Sequence, residues 1–203
     1  MDYAEVYTQL HEEAGEKWFS GSTIKRYVND IAELVNGQNP RNILDYGSGK
    51  GFQYLVSRLH EQWGGLLPHC YDIGVRQLSQ RPAIKFDGIV CTDVLEHIER
   101  EDVPAVLDDI FGFLTVEDRP KFIFFSIACR PDVKAPPADK GAHKHKKLPD
   151  GRDLHLTIEQ PDWWISMILL AVQRAMDNGG VAQLKVRARF ELPDGRRVRE
   201  EIL

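Results

Sequence analysis

The chain has 203 residues, 28% of them charged and 42% hydrophobic, with a formal net charge of −5, which fits one domain with a substantial core. That charge argues against a general nucleic-acid binder and leaves only local basic patches for such a role. No apolar stretch approaches membrane-spanning length and Met1-Asp2-Tyr3-Ala4-Glu5 lacks signal-peptide character, so a cytoplasmic, non-membrane location is expected.

Residues 1–40 read as helical. After a cap at Ser22, the residues Ile24, Tyr27, Val28, Ile31 and Val35 recur at helical spacing, and Gly37 closes the run. A strand follows at 42–46. Behind the glycines that come next, Phe52, Leu55, Val56 and Leu59 fall on one helical face. A second strand over Leu67–Tyr71 ends at Asp72, and an apolar run over Phe86–Thr92 ends at Asp93. Between these two, Gln77–Lys85 offers no clear apolar run, so a strand there is short or absent. A helix over 102–115 carries Val103, Val106, Leu107, Ile110 and Leu114 as its buried stripe. Lys121–Cys129 is apolar enough for a strand buried on both faces. Pro161 suits the first turn of a helix reaching 177. Two strand-like runs joined by Pro193-Asp194-Gly195 close the chain as a hairpin, with Leu184, Val186, Ala188 and Phe190 alternating in the first. Strands alternating with helices predict a doubly wound α/β fold with a mainly parallel sheet and a C-terminal antiparallel strand.

Cys70, Cys91 and Cys129 are odd in number and lack metal-ligand spacing, so free thiols in a reducing compartment are expected. The richest local signal is Ile43-Leu44-Asp45-Tyr46-Gly47-Ser48-Gly49-Lys50-Gly51. An apolar strand ends in an acid, and glycine then recurs at every second position. Glycine permits the sharp turn and a close approach to the main chain. The dinucleotide fingerprint spaces its glycines differently and sets its acid about 20 residues later. Here the acid precedes the glycines, where a phosphate is repelled and an amino group is welcomed. In open parallel sheets ligands sit at the carboxyl ends of the strands, and Asp45, Asp72 and Asp93 occupy three such ends.

This glycine turn resembles the first motif of the class I S-adenosylmethionine (SAM) dependent methyltransferases. The stretch Phe86-Asp-Gly-Ile-Val-Cys-Thr-Asp93-Val-Leu-Glu-His97-Ile resembles that superfamily's fourth-strand motif, common in its small-molecule branches. The resemblance covers most of the chain and implies a Rossmann-like fold with SAM as cofactor. It implies that Asp45 and the backbone of Tyr46, Gly47, Ser48 and Gly49 hold the methionine part. It gives Asp72 the ribose hydroxyls, Ile73 the adenine face, and Thr92 with Asp93 the methyl end. The acid or amide that often caps the adenine amine on the third strand cannot be assigned here, because that strand is short or absent.

A general base is needed only for an acceptor protonated at neutral pH, such as an alcohol or phenol. His155, ahead of His97, is the candidate. The basic segment Lys140-Gly-Ala-His143-Lys-His145-Lys-Lys147 reads as a solvated loop within 130–158, with a flap over an anionic acceptor or a phosphate-backbone contact as its functional reading. His143 and His145 have no nearby cysteine or acidic partner, so no metal site is assigned. Of Trp163 and Trp164, one is expected in the core and the other at the acceptor pocket or an oligomer contact, because neighbours on a helix point about 100° apart. The segment with Trp18, Phe19 and Gly21 reads either as a lid or as simple packing. The expectation is one domain over 1–203 that methylates a small molecule. A methyltransferase for nucleic acid or protein, a non-catalytic SAM-binding module and, more distantly, a nicotinamide dehydrogenase stand as alternatives. The acceptor and the oligomeric state stay open.

Overall fold

In the computed structural model of the protein, which describes residues 2–13, 20–132, 147–177 and 182–203, six strands form one mixed sheet. They are β1 (Ile43–Tyr46), β2 (His69–Tyr71), β3 (Gly88–Thr92), β4 (Lys121–Ala128), β5 (Leu184–Glu191) and β6 (Arg197–Glu201). Their order is β2-β1-β3-β4-β5-β6. The first five run parallel, and β6 pairs antiparallel with β5 at the sheet edge. This is the expected Rossmann-like doubly wound arrangement. No strand lies between β2 and β3, where the regular structure is a single 3-10 turn at Arg76–Leu78, so β2 forms the opposite edge.

Period-two alternation along β4 explains why the sheet is covered twice. Ile123, Phe125 and Ile127 pack with Val103, Leu107 and Ile110 of α4 (Val103–Gly112) and with Trp164 and Ile168 of α5 (Pro161–Asp177). Phe122 and Phe124 face the other way, into Ile31 and Leu34 of α2 (Val28–Gln38) and Trp63 of the 3-10 turn Leu59–Trp63. All eight residues of β4 are buried, as a continuous apolar run in a parallel sheet requires. Pro161 and Asp177 bound α5 where the sequence places them. Cys91 and Cys129 are buried free thiols, and Cys70 is partly buried.

The N-terminal part departs from expectation. It divides into the helix α1 (Tyr3–Glu13), a 3-10 turn at Ser22–Tyr27 and α2. Ser22 opens the 3-10 turn without capping it; the preceding Gly21 is left-handed and no side chain caps the turn. Gly37 sits inside α2, which ends instead at Asn39, whose φ of 49° lets its N–H donate to the Val35 carbonyl. Asparagine tolerates this left-handed conformation, and no glycine is needed.

The segment after the glycine turn departs further. Instead of a long amphipathic helix there is one turn, α3 (Phe52–Leu55). Leu55 and Val56 are 74% and 76% exposed, while Gln53 and Tyr54 are buried. The cause is Asp45 at the tip of β1. Tyr54 Oη–H donates to its Oδ2 at 2.8 Å and Gln53 Nε2–H to the same oxygen at 3.0 Å. A buried carboxylate without donors is far costlier than two exposed aliphatic side chains. The turn therefore rotates its polar pair inward.

On β5 the side chains opposite the apolar stripe tie the sheet to α2. Arg189 donates from Nε and Nη2 to Asp30 Oδ2 and Oδ1 at 2.9 and 2.8 Å. Arg187, which is buried where Arg189 is half-buried, reaches Glu33 at 3.0 Å and Glu201 at 2.6 Å. Removing Asp30 takes a buried partner from three guanidinium groups, those of Arg187, Arg189 and Arg199. Asp30→Ala is expected to cost at least about 2 kcal/mol of stability. Leu55→Ser and Val56→Ser are expected to stay within about 0.5 kcal/mol. Urea unfolding monitored by circular dichroism measures all three.

Candidate functional site

The sheet's topology changes direction between β1, which feeds β2 on one side, and β3 on the other. That switch point is where a crevice opens at the carboxyl ends of the strands. A cavity of about 490 Å³ occupies it, within the usual size range for small-molecule sites. Its lining follows the strand order: Asp72 and Ile73 at the end of β2, Asp45 to Gly49 at the end of β1, Thr92 and Asp93 at the end of β3, Ala128 and Arg130 at the end of β4. Every cofactor residue expected from the sequence lies on this one cavity.

The glycine turn is built as its spacing suggests, with φ values of +74° at Gly47, +57° at Gly49 and +70° at Gly51. At Gly47 a side chain is barred by the protein rather than by a ligand, since an added Cβ would lie 2.3 Å from Val94 Cγ2. The turn's own N–H groups are largely occupied. Gly47 donates to the Tyr71 carbonyl at 2.8 Å, and Gly49 donates to Asp72 Oδ2 at 2.7 Å. Asp72 Oδ1 accepts from Gly74 N–H at 2.9 Å. Asp72 thus locks the turn through one lone pair of each oxygen and keeps the remaining lone pairs for a ligand. The Tyr46 hydroxyl points away to Asp109 at 3.0 Å, so only its remaining surface serves the cavity.

Asp45 is 1% exposed, and its Oδ1 meets no hydrogen-bond donor. Burial pushes its carboxyl up to about 6, against the opposing pull of the Tyr54 and Gln53 hydrogen bonds. Asp93 adopts φ +54°, a conformation aspartate tolerates better than most residues. Its N–H donates to the Ser126 carbonyl at 3.0 Å, and its Oδ1 accepts from Ser126 Oγ–H at 2.7 Å. Burial also holds the Asp93 carboxyl above its ordinary range.

His97 and His155 both line the cavity, with ring centroids 5.0 Å apart. His97 Nδ1 lies 2.9 Å from the Leu154 carbonyl, and His155 Nδ1 lies 2.6 Å from the Arg130 carbonyl. A carbonyl only accepts, so each ring carries its proton on Nδ1 and its lone pair on Nε2. Burial, followed by the neighbouring His155, lowers His97 to about 4. Each ring therefore keeps a lone pair on Nε2.

Sequence reasoning gave no role to Glu96, which is fully buried beside these histidines. Its Oε1 accepts the Ala128 N–H at 3.0 Å and its Oε2 has no partner. Burial, then the Asp93 charge, raises its carboxyl well above the normal range. Helix α1 supplies a wall as well. Tyr7 Oη–H donates to the His97 carbonyl at 3.1 Å, Tyr3 Oη–H donates to Asp102 at 2.7 Å, and His11 Nε2 stands 3.8 Å from Asp72. Gly21 lines the cavity too, whereas Trp18 and Phe19 lie outside the described residues.

Trp164 is buried in the core, but Trp163 does not line the cavity. It stacks on the Arg100 guanidinium at 4.9 Å. Of the basic segment only Lys147 is described, exposed and paired with Asp153 in an isolated antiparallel backbone bridge; Lys140 to Lys146, with His143 and His145, lie outside the described residues. Among the described residues no helix is long and apolar enough to cross a membrane. Comparisons with protein-family models, curated proteins and solved structures give no match for the chain.

The Asp45 shift has a testable sign. Its folded value of about 6 lies above the ordinary 3.8, so the folded state binds the proton more tightly than the unfolded chain. The resulting stability is complete below about pH 4 and is lost as the pH rises through 6. The loss amounts to about 3 kcal/mol. Asp45→Asn is expected to flatten this fall in the ligand-free protein, and urea unfolding between pH 4 and 7 reads it.

Proposed function

We propose that the protein is a SAM-dependent methyltransferase acting on a small-molecule acceptor. The observation that carries this reading is the placement of Asp45, Asp72 and Asp93, three strand-tip acids, on one cavity at the switch point. A cavity lined by these carboxylates suits a ligand with an ammonium, a sulfonium and ribose hydroxyls. It is a poor host for the pyrophosphate of a dinucleotide.

In this reading the unpaired Oδ1 of Asp45 receives the methionine ammonium, which also relieves the cost of burying that acid. The spare lone pairs of Asp72 take the ribose hydroxyls, and Ile73 gives the adenine an apolar surface. Thr92 and Asp93, next along the carboxyl ends of the strands, face the methyl end. Bound SAM supplies a methyl group on a sulfonium, whose neutral leaving group makes proximity and alignment the main demands on the protein. Helix α1 covers the cavity and helps hold the acceptor in line. His155 and His97 accept the proton of a hydroxyl acceptor at Nε2, their Nδ1 protons being fixed by backbone carbonyls.

Saturating S-adenosylhomocysteine, at about one hundred times its Kd, is expected to stabilise the fold by about 2.7 kcal/mol. For a chain of this size that is a rise in Tm of about 5–10 °C. A folded protein whose Tm does not move would overturn the reading. Asp72→Ala is expected to weaken the same ligand at least about tenfold, the loss of a charge-assisted hydrogen bond, measured by calorimetry. Unchanged affinity would show that Asp72 does not hold the ribose.

A further inference from the structure

Glu96, His97 and His155 come together at the acceptor end of the cavity, from two segments distant in sequence. A ring nitrogen from each histidine and a carboxylate oxygen of Glu96 all lie within 4.8 Å of one another. Atoms sharing one ion at about 2.1 Å are at most about 4.2 Å apart, so side-chain movements of under about 1 Å close the set. We propose that these three residues form a binding site for a divalent first-row transition metal ion.

Three features argue for an ion rather than for simple packing. Glu96 Oε2 is buried without a partner, and among the described residues Glu96 makes no ion pair. A carboxyl in such a place either keeps its proton or meets a cation. The two imidazoles are oriented as metal ligands are. Each donates Nδ1–H to a backbone carbonyl, which fixes the tautomer and leaves the Nε2 lone pair for coordination. Backbone geometry supports the set as well. The Ala128 N–H holds Glu96 Oε1, and the Thr157 N–H donates to the Glu96 carbonyl at 3.0 Å, joining the two ligand-bearing segments.

The donor set selects the ion. Two imidazole nitrogens and one carboxylate suit zinc, iron, cobalt, nickel or manganese, whereas magnesium and calcium prefer oxygen donors. Three protein ligands leave coordination positions open to water or substrate. The site faces the cavity beside Asp93, so those positions are open to an incoming molecule. Resting on the methyltransferase reading, the acceptor is then a compound whose oxygen or nitrogen can bind the ion. The site itself does not depend on that reading.

The test uses tag-free protein stripped with a chelator and titrated with Co²⁺, followed by visible absorption and calorimetry, without SAM. One equivalent is expected to bind, with d–d bands of a nitrogen- and oxygen-ligated ion, and at least about a hundredfold more tightly than Mg²⁺. Glu96→Gln, which retains an acceptor for the Ala128 N–H, and His155→Ala should each weaken binding at least tenfold while melting cooperatively. His143→Ala/His145→Ala should leave it unchanged. Equal binding in wild type, Glu96→Gln and His155→Ala would overturn the proposal. Binding lost only in the double variant would overturn it too. S-adenosylhomocysteine titrated into the metal-free protein tests the cofactor separately, so one reading can fail while the other stands.

Discussion

A carboxylate with almost no access to water sets the local design of this protein. Asp45 lies next to last in β1, just before the glycine turn, and is buried in the wall of the cavity. One oxygen is held by Tyr54 and Gln53; the other is open. Holding the first oxygen forces α3 to present polar residues to the interior and to expose Leu55 and Val56. It also fixes how the chain leaves the glycine turn. The structure accepts a cost at this point that a well-packed apolar residue would avoid.

The second constraint is the sheet. Because β1 feeds β2 to one side and β3 follows on the other, the carboxyl ends of three consecutive strands flank a single opening. Asp72 ties the first two tips together by accepting from the N–H groups of Gly49 and Gly74. Ser126 does the same for β3 and β4 by binding Asp93 through side chain and backbone. The acids therefore act as fasteners of the strand ends as well as candidate ligand groups. A rigid floor of this kind limits reorganisation when a ligand enters, the condition under which positioning is most effective.

Beyond Asp93 the cavity changes character. Its walls become Glu96, His97 and His155, with Tyr7 of α1 holding the His97 carbonyl from above. Nδ1 of each ring is engaged, and the free chemistry of this end lies in two nitrogen lone pairs and a buried carboxylate oxygen. Proton acceptance and ion binding draw on these same atoms, so a metal there would compete with a general base.

Much of this was legible in the chain. Apolar runs and alternation placed α4, β4 and the first strand of the closing hairpin, because they report burial directly, while Pro161 placed the start of α5 and Pro193-Asp194-Gly195 the hairpin turn. The missing strand between β2 and β3 was visible in the polar run Gln77–Lys85, and the acids at Asp45, Asp72 and Asp93 were visible as strand ends. Two kinds of feature were not. The helix behind the glycine turn was misplaced because a hydrophobic pattern says nothing about a buried acid that needs donors, and that demand outweighed two aliphatic side chains. The end of α2 was misplaced because Asn39 supplies the left-handed turn that Gly37 seemed to offer. Glu96 sat inside a recognisable motif, yet its neighbour His155 belongs to a distant loop. The sequence by itself determined the sheet, its coverage and the acidic strand tips, because these follow from local pattern. Only the tertiary structure decided which side chains share the far end of the cavity, because contact between remote segments depends on how the chain packs and leaves no periodic trace.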